Sequence, residues 1–209
     1  MKKKKIIKKK SSKEKALDRL VDFLWEWRIL KYLPRASMPY LKDTVRENVA
    51  EHSFYTTVLG WILAKVENAD EDKVIKMCLI HDLAEARGGE RNLINKFYSQ
   101  PLNEPRIIKE ISRTYGLGNF GFDKLFNEFF QEKTLEAKIA RDADVLEGMI
   151  YEKECLDQGN RKAAKWLAVS LHRLKTKTAR EIGEKIIDSD ADKWWLDVAK
   201  KYILHTKFL

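Results

Sequence analysis

Cysteine is nearly absent from this chain. Cys78 and Cys155 are the only two in 209 residues, lie far apart and form no CxxC pair. A disulfide scaffold and a cysteine-based zinc site are therefore not expected. Nine glycines and four prolines are too few for a turn-rich all-β protein. No apolar run reaches membrane-spanning length, and no apolar core follows the lysine-rich N-terminus as a secretory signal requires. There is no P-loop, GxSxG elbow or HExxH string. These gaps point to the cytoplasm and no membrane partner.

Positive charge is plentiful but unevenly placed. The formal net charge is +9, yet residues 1–15 alone hold nine lysines and one glutamate. The rest of the chain is almost neutral. Residues 1–13 read as a flexible solubilising tail, with nucleic acid a partner only through that tail. Residues 14–209 read as one domain.

The rest is patterned as helix after helix, with no segment alternating at period two. Leu17, Leu20, Val21, Leu24, Trp27 and Leu30 form the first stripe, and Pro34 and Pro39 open a loop over 34–47. Asn48 and Glu51 make a capping box for a helix whose apolar face is Tyr55, Val58, Leu59, Ile62, Leu63 and Val66. Asp70 opens the next, with Val74, Ile75, Cys78 and Leu79 buried, and Gly88 and Gly89 close it. Residues 134–156 form a long helix. The tryptophans fall among aliphatics at helical spacing and are expected in the core. The string GLGNFG (116–121) satisfies G-x-G-x-x-G, but the segment before it is helical rather than a strand, so it reads as a loop. The expected architecture is all-α, a single bundle of about eight to ten helices.

Polar residues then stand out against these stripes. His52 lies on the buried side of its helix. His81 and Asp82 follow an apolar run inside the second, where a carboxylate is expensive unless paired or bound to a cation. Glu85 is one turn on. The long helix carries Asp142, Asp144 and Glu147 at the border of its stripe. Any one histidine could be a core residue with a hydrogen-bond partner. As a set, imidazoles and carboxylates without thiolate suit one divalent ion such as Mn²⁺, Co²⁺, Fe²⁺ or Zn²⁺.

The order His52, His81-Asp82, Asp144 resembles the H…HD…D signature of the HD-domain metal-dependent phosphohydrolases. The strings RENVAEHSF (46–54), IHDLAEARGGE (80–90) and RDADVLEG (141–148) resemble the 5′-deoxynucleotidase branch. The resemblance spans roughly residues 17–160. It implies an all-helical HD-domain bundle, often homodimeric, that hydrolyses (deoxy)nucleoside 5′-monophosphates. It implies His52, His81, Asp82 and Asp144 as metal ligands, with Asp142 the rival for the last place. Glu85 matches the glutamate that handles the attacking water. Arg35, in LPRAS, matches the arginine facing the substrate phosphate, and Glu90 falls where relatives carry an aspartate near the substrate. Relatives also place an aromatic beside that arginine; here Ala36 and Ser37 follow, and the next aromatic is Tyr40. Hydrolysis of a triphosphate or phosphodiester at the same centre is the alternative within enzymes.

Overall fold

A computed structural model describes residues 10–41 and 47–205. Its helices are α1 (Ser12–Arg28), α2 (Met38–Leu41), α3 (Val49–Val66), α4 (Glu71–Ile80), α5 (Glu85–Gly88), α6 (Leu93–Tyr98), α7 (Glu104–Tyr115), α8 (Phe122–Gln131), α9 (Leu135–Asp157), α10 (Ala163–Arg173), α11 (Lys177–Asp188) and α12 (Lys193–His205). Nine of these have ten residues or more; α2, α5 and α6 are one or two turns. Among the described residues there is no strand, only a bridge between Pro34 and Asn48. No described helix is long and apolar enough to cross a membrane. Most of the lysine-rich tail, residues 1–9, lies outside the described residues, as does 42–46 of the loop.

Local chemistry starts and stops these helices. Ser11 with Glu14, and Asn48 with Glu51, form complete capping boxes, each satisfying donors that the first turn leaves free. Asp70, Asn103, Thr134 and Thr176 cap α4, α7, α9 and α11 through their side chains. Gly116, at φ 73°, ends α7 in the left-handed region that favours glycine. GLGNFG is a 3-10 turn between α7 and α8, not a dinucleotide loop.

The longest helix, α9, is the axis of the bundle, and α3, α4, α8, α10 and α11 pack around it. Leu63, Val74, Met77, Ile139, Ala143, Leu146 and Met149 form the main core. A second cluster joins α1, α7 and α8 through Phe23, Ile108, Ile111 and Phe126.

Three expectations from periodicity need correction. The buried side of α3 is Val49, His52, Ser53, Thr56, Gly60, Leu63 and Ala64. Tyr55, Val58, Ile62 and Val66 face outward instead, as does Leu79 on α4. The reason is close approach: a Cβ at Gly60 would lie 2.6 Å from Cys78 Sγ, so only a small-residue face lets α3, α4 and α9 meet. Trp25, Trp61, Trp194 and Trp195 are exposed rather than core, because no described element covers their apolar faces. Finally, α4 stops at Ile80. His81 and Asp82 occupy a tight turn of i→i+3 bonds, Leu83 N–H to Ile80, Glu85 N–H to Asp82 and Ala86 N–H to Leu83, rather than the middle of a helix.

Candidate metal centre

Three helices deliver the polar residues to one point. His52 enters from the first turn of α3 and is fully buried. His81 follows the end of α4. Asp144 comes from α9, on the turn next to Ala143, which is buried against the other two helices. The two Nε2 atoms are 3.3 Å apart. Asp144 Oδ1 lies 3.2 Å from His52 Nε2 and 4.0 Å from His81 Nε2. Asp82 Oδ2 lies 3.2 Å from His81 Nε2 and 3.6 Å from His52 Nε2. His52, His81 and Asp144 thus offer ligand atoms within 4.8 Å of one another, and Asp82 closes the same space.

Both imidazoles are held from behind. His81 Nδ1–H donates to the Cys78 carbonyl at 2.7 Å. His52 Nδ1 pairs with Glu147 Oε2. Each ring therefore aims Nε2 at the carboxylates, the arrangement that metal-binding histidines use. Burial and nearby Arg35 oppose positive charge on His52, but hydrogen bonds to Asp144 and Glu147 outweigh them and push its pKa up to about 10. Asp82 and Asp144 are both held below the usual carboxylate range: burial opposes this, and the two imidazoles prevail. A site that favours both imidazolium and carboxylate is one that favours added positive charge.

Arg35, Glu85 and Glu90 lie at the same centre. Arg35 Nη1 is 3.5 Å from Asp82 Oδ2 and 3.4 Å from Glu90 Oε1. The loop reaches this position because the Arg35 N–H donates to the Glu47 carbonyl and Val49 N–H to Leu33, across the Pro34–Asn48 bridge. Burial disfavours the guanidinium charge, but Asp82 and Glu90 more than offset it. Glu85 opens α5 and is buried. Burial, then the Asp82 and Glu90 charges, push its carboxyl up to about 11. Its Oε2 is buried without a hydrogen-bond partner. Such an orphaned oxygen, next to the Asp82 and Glu90 charges and Arg35, fits a site built for a cation and a polar ligand.

Asp142, the rival ligand, does something else. It is fully buried on the far side of α9 and accepts the N–H groups of Lys175 and Thr176 at 2.7 and 2.8 Å, fixing the approach to α11. Two residues at the centre carried no site assignment in the sequence. Arg141 reaches Asp144 Oδ2 at 3.0 Å while stacked 4.2 Å from the Phe129 ring centroid. Glu47 contacts Glu147, and burial together with that carboxylate pushes Glu47 up to about 8. Arg141 stands three residues before Asp144, a helical spacing that could have flagged it. Glu47 sits in a loop with no periodicity to read.

Fold and centre together define a helical hydrolase-type site assembled from H, HD and D. The HD-domain family matches residues 27–186, and the chain belongs to this family. A 5′-deoxynucleotidase HDDC2 of Dictyostelium discoideum is 34% identical over 141 residues, covering 60% of this chain and 73% of its own. Among solved structures, the PH0347 protein of Pyrococcus horikoshii superposes with a TM-score of 0.66 at 23% identity, over 80% of this chain and 98% of its own. A Magnetospirillum magnetotacticum protein described as a predicted metal-dependent phosphohydrolase gives 0.63 at 21%, over 85% and 94%. These two structural likenesses speak to the fold.

Proposed function

We propose that this protein is a metal-dependent phosphomonoesterase that releases phosphate from nucleoside 5′-monophosphates, deoxy forms preferred. The observation that carries the reading is the convergence of His52, His81, Asp82 and Asp144 beside a buried Glu85 and the Arg35 guanidinium. The 34% identity to a 5′-deoxynucleotidase supports the substrate class.

His52, His81, Asp82 and Asp144 would hold one divalent ion. When bound, it supplies a water of lowered pKa and neutralises phosphoryl charge. Glu85 takes the proton of the attacking water. Its high pKa follows partly from the Asp82 charge, which a cation compensates. Arg35, freed from Asp82 and Glu90 by the incoming anion, offers parallel N–H groups to phosphate oxygens. Tyr40, half exposed on α2 just beyond Arg35, forms part of the sugar wall. Steric rejection of one hydroxyl is worth about 10–100-fold in kcat/KM.

We also propose a homodimer. Phe54, Tyr55, Val58, Trp61, Ile62 and Val66 on α3 are each between 39% and 61% exposed. Val21, Leu24 and Trp25 of α1 border this face beside Ala50. With half of each aromatic open, the patch is on the order of 1,000 Å², beyond what a monomer usually shows and enough for a stable dimer at about 800 Å² per partner.

The test is phosphate release from matched ribo- and deoxyribonucleotides, a triphosphate and a diester, after chelation and metal add-back. Activity restored by metal on monophosphates is expected. Faster cleavage of the triphosphate or diester overturns the substrate class, and equal rates on the two sugars overturn the deoxy preference.

A further inference from the structure

His52 and His81 point their Nε2 atoms at the same space but are supported differently. Behind His81 stands a neutral carbonyl, that of Cys78. Behind His52 stands a buried carboxylate, Glu147, and behind Glu147 stands Glu47. Glu147 lies three residues after Asp144 on α9, so one helical turn carries both the group facing the front of the centre and the one facing the back of the imidazole. It is 5% exposed, and α9 is the most enclosed helix of the bundle.

We propose that Glu147 is a positioning residue for the metal centre: through Nδ1 it fixes the tautomer and direction of His52 and makes its Nε2 the stronger donor. This rests on the metal reading of His52 above. A carboxylate accepting from Nδ1–H makes Nε2 the nitrogen that would give up its proton to a metal, pins the ring plane and increases the basicity of the distal nitrogen. His81, backed only by a carbonyl, gains the orientation without the charge. The two histidines are therefore unequal, and the site is anchored from the α3–α9 side. Glu47 adds a further link: its carbonyl accepts the Arg35 N–H, while its side chain contacts Glu147. The segment that places the phosphate-binding arginine is thereby tied to the support of the metal ligand.

Groups of this kind typically change metal affinity 10–100-fold when removed. The experiment measures Co²⁺ affinity of the full chain by chelator competition, with metal stoichiometry and the melting temperature of the metal-free protein alongside. Glu147→Gln keeps an oxygen that can accept from Nδ1–H but loses the charge; Glu147→Ala loses both. The expected order of affinity is wild type, then Gln, then Ala, with Ala weaker by about 10–100-fold. Glu152→Gln, another buried carboxylate on α9 but away from the histidines, is the control and should bind Co²⁺ as wild type does. If Glu147→Ala does not fold, Glu147→Gln against that control carries the test. Wild-type affinity in the Glu147 variants overturns the proposal. So do two ions per wild-type chain with one lost in Glu147→Ala, since Glu147 would then be a ligand itself. If wild type and His52→Ala bind Co²⁺ equally, the metal reading fails, which is a separate result.

Discussion

Gly60 is where the three helices of the candidate metal centre touch, and replacing it with alanine tests whether that contact governs the site. A Cβ there would lie 2.6 Å from Cys78 Sγ, 3.1 Å from Val74 Cγ1 and 3.6 Å from Ala143 Cβ. Cys78 is one turn before His81, whose Nδ1 it holds through its carbonyl, and Ala143 adjoins Asp144. Non-bonded heavy atoms settle near 3.5–4.0 Å, so the first contact requires a displacement of about 1 Å. Helix propensity alone favours alanine by about 1 kcal/mol, whereas overpacking a filled core costs about 1–3 kcal/mol. The expected net is a loss of up to about 2 kcal/mol, or up to roughly 8 °C in Tm for a chain of this size. Co²⁺ affinity should fall with it, because α4 carries His81 away from His52. In a Cys78→Ala background the Sγ clash is gone, and Gly60→Ala should become neutral or stabilising. Thermal melts of the four proteins in the double-mutant cycle give the coupling. A Gly60→Ala protein more stable than wild type, or a cost unchanged in the Cys78→Ala background, refutes the reasoning.

Glu85→Gln should lower kcat by about 10²–10⁴-fold, the range for a general base, without weakening Co²⁺ binding; near-normal turnover excludes the role. Burial pushes Glu152 up from 4.5 to about 7, its partner being the Ser170 hydroxyl. The folded form keeps a proton that the unfolded chain releases, so stability should fall as pH rises from about 4.5 to 7, by at most about 3 kcal/mol. Chemical denaturation across that window should show a flatter slope for Glu152→Gln; an unchanged slope removes Glu152 as the cause. Light scattering should give a dimer for wild type and a monomer for Trp61→Glu or Ile62→Glu; a monomeric wild type at micromolar concentration refutes the interface.

The helical class and the caps were legible because each rests on short-range chemistry, while the order of the candidate site residues was legible through the resemblance to the HD-domain family. Asn48 with Glu51 announces α3, and periodicity locates α9. The orientation of α3 was not legible. Of its expected apolar face Tyr55, Val58, Ile62 and Val66 point out, while Leu63 is buried, Leu59 packs against the core, and Ser53, Thr56, Gly60 and Ala64 point in. Hydrophobic periodicity reports that a face is apolar, not whether a helix of the same chain covers it. Close helix packing selects small residues, which carry little hydrophobic signal. The end of α4 before His81 was equally hidden, since residues 81–84 contain neither glycine nor proline, and the break is set by tertiary packing of Leu83 and Ala84. Asp142 and Asp144 differ by two positions on one helix; the family string favoured Asp144, and the structure adds that Asp142 holds the approach to α11 while Asp144 faces the histidines.

The charge balance of the centre orders its binding events. Six carboxyl groups, of Glu47, Asp82, Glu85, Glu90, Asp144 and Glu147, meet two permanent cations, Arg35 and Arg141. The surplus is relieved by protons: His52 holds one up to about 10, Glu85 up to about 11 and Glu47 up to about 8. A phosphate dianion entering this field meets like charge at Asp82 and Glu90, and Arg35 is already engaged by both. A divalent ion held by these histidines would change that sum, because it would take the place of the His52 proton and offset the charge of Asp82 and Asp144. On the metal reading, phosphate and Co²⁺ must therefore bind with positive coupling, each raising the affinity of the other by the same factor. Arg35→Ala should reduce phosphate affinity while leaving Co²⁺ affinity in the absence of phosphate equal to or above wild type, since it removes a positive charge that competes for Asp82. Calorimetric titrations of phosphate with and without Co²⁺ measure the coupling. Equal phosphate affinity in both would show that the carboxylates do not repel the anion.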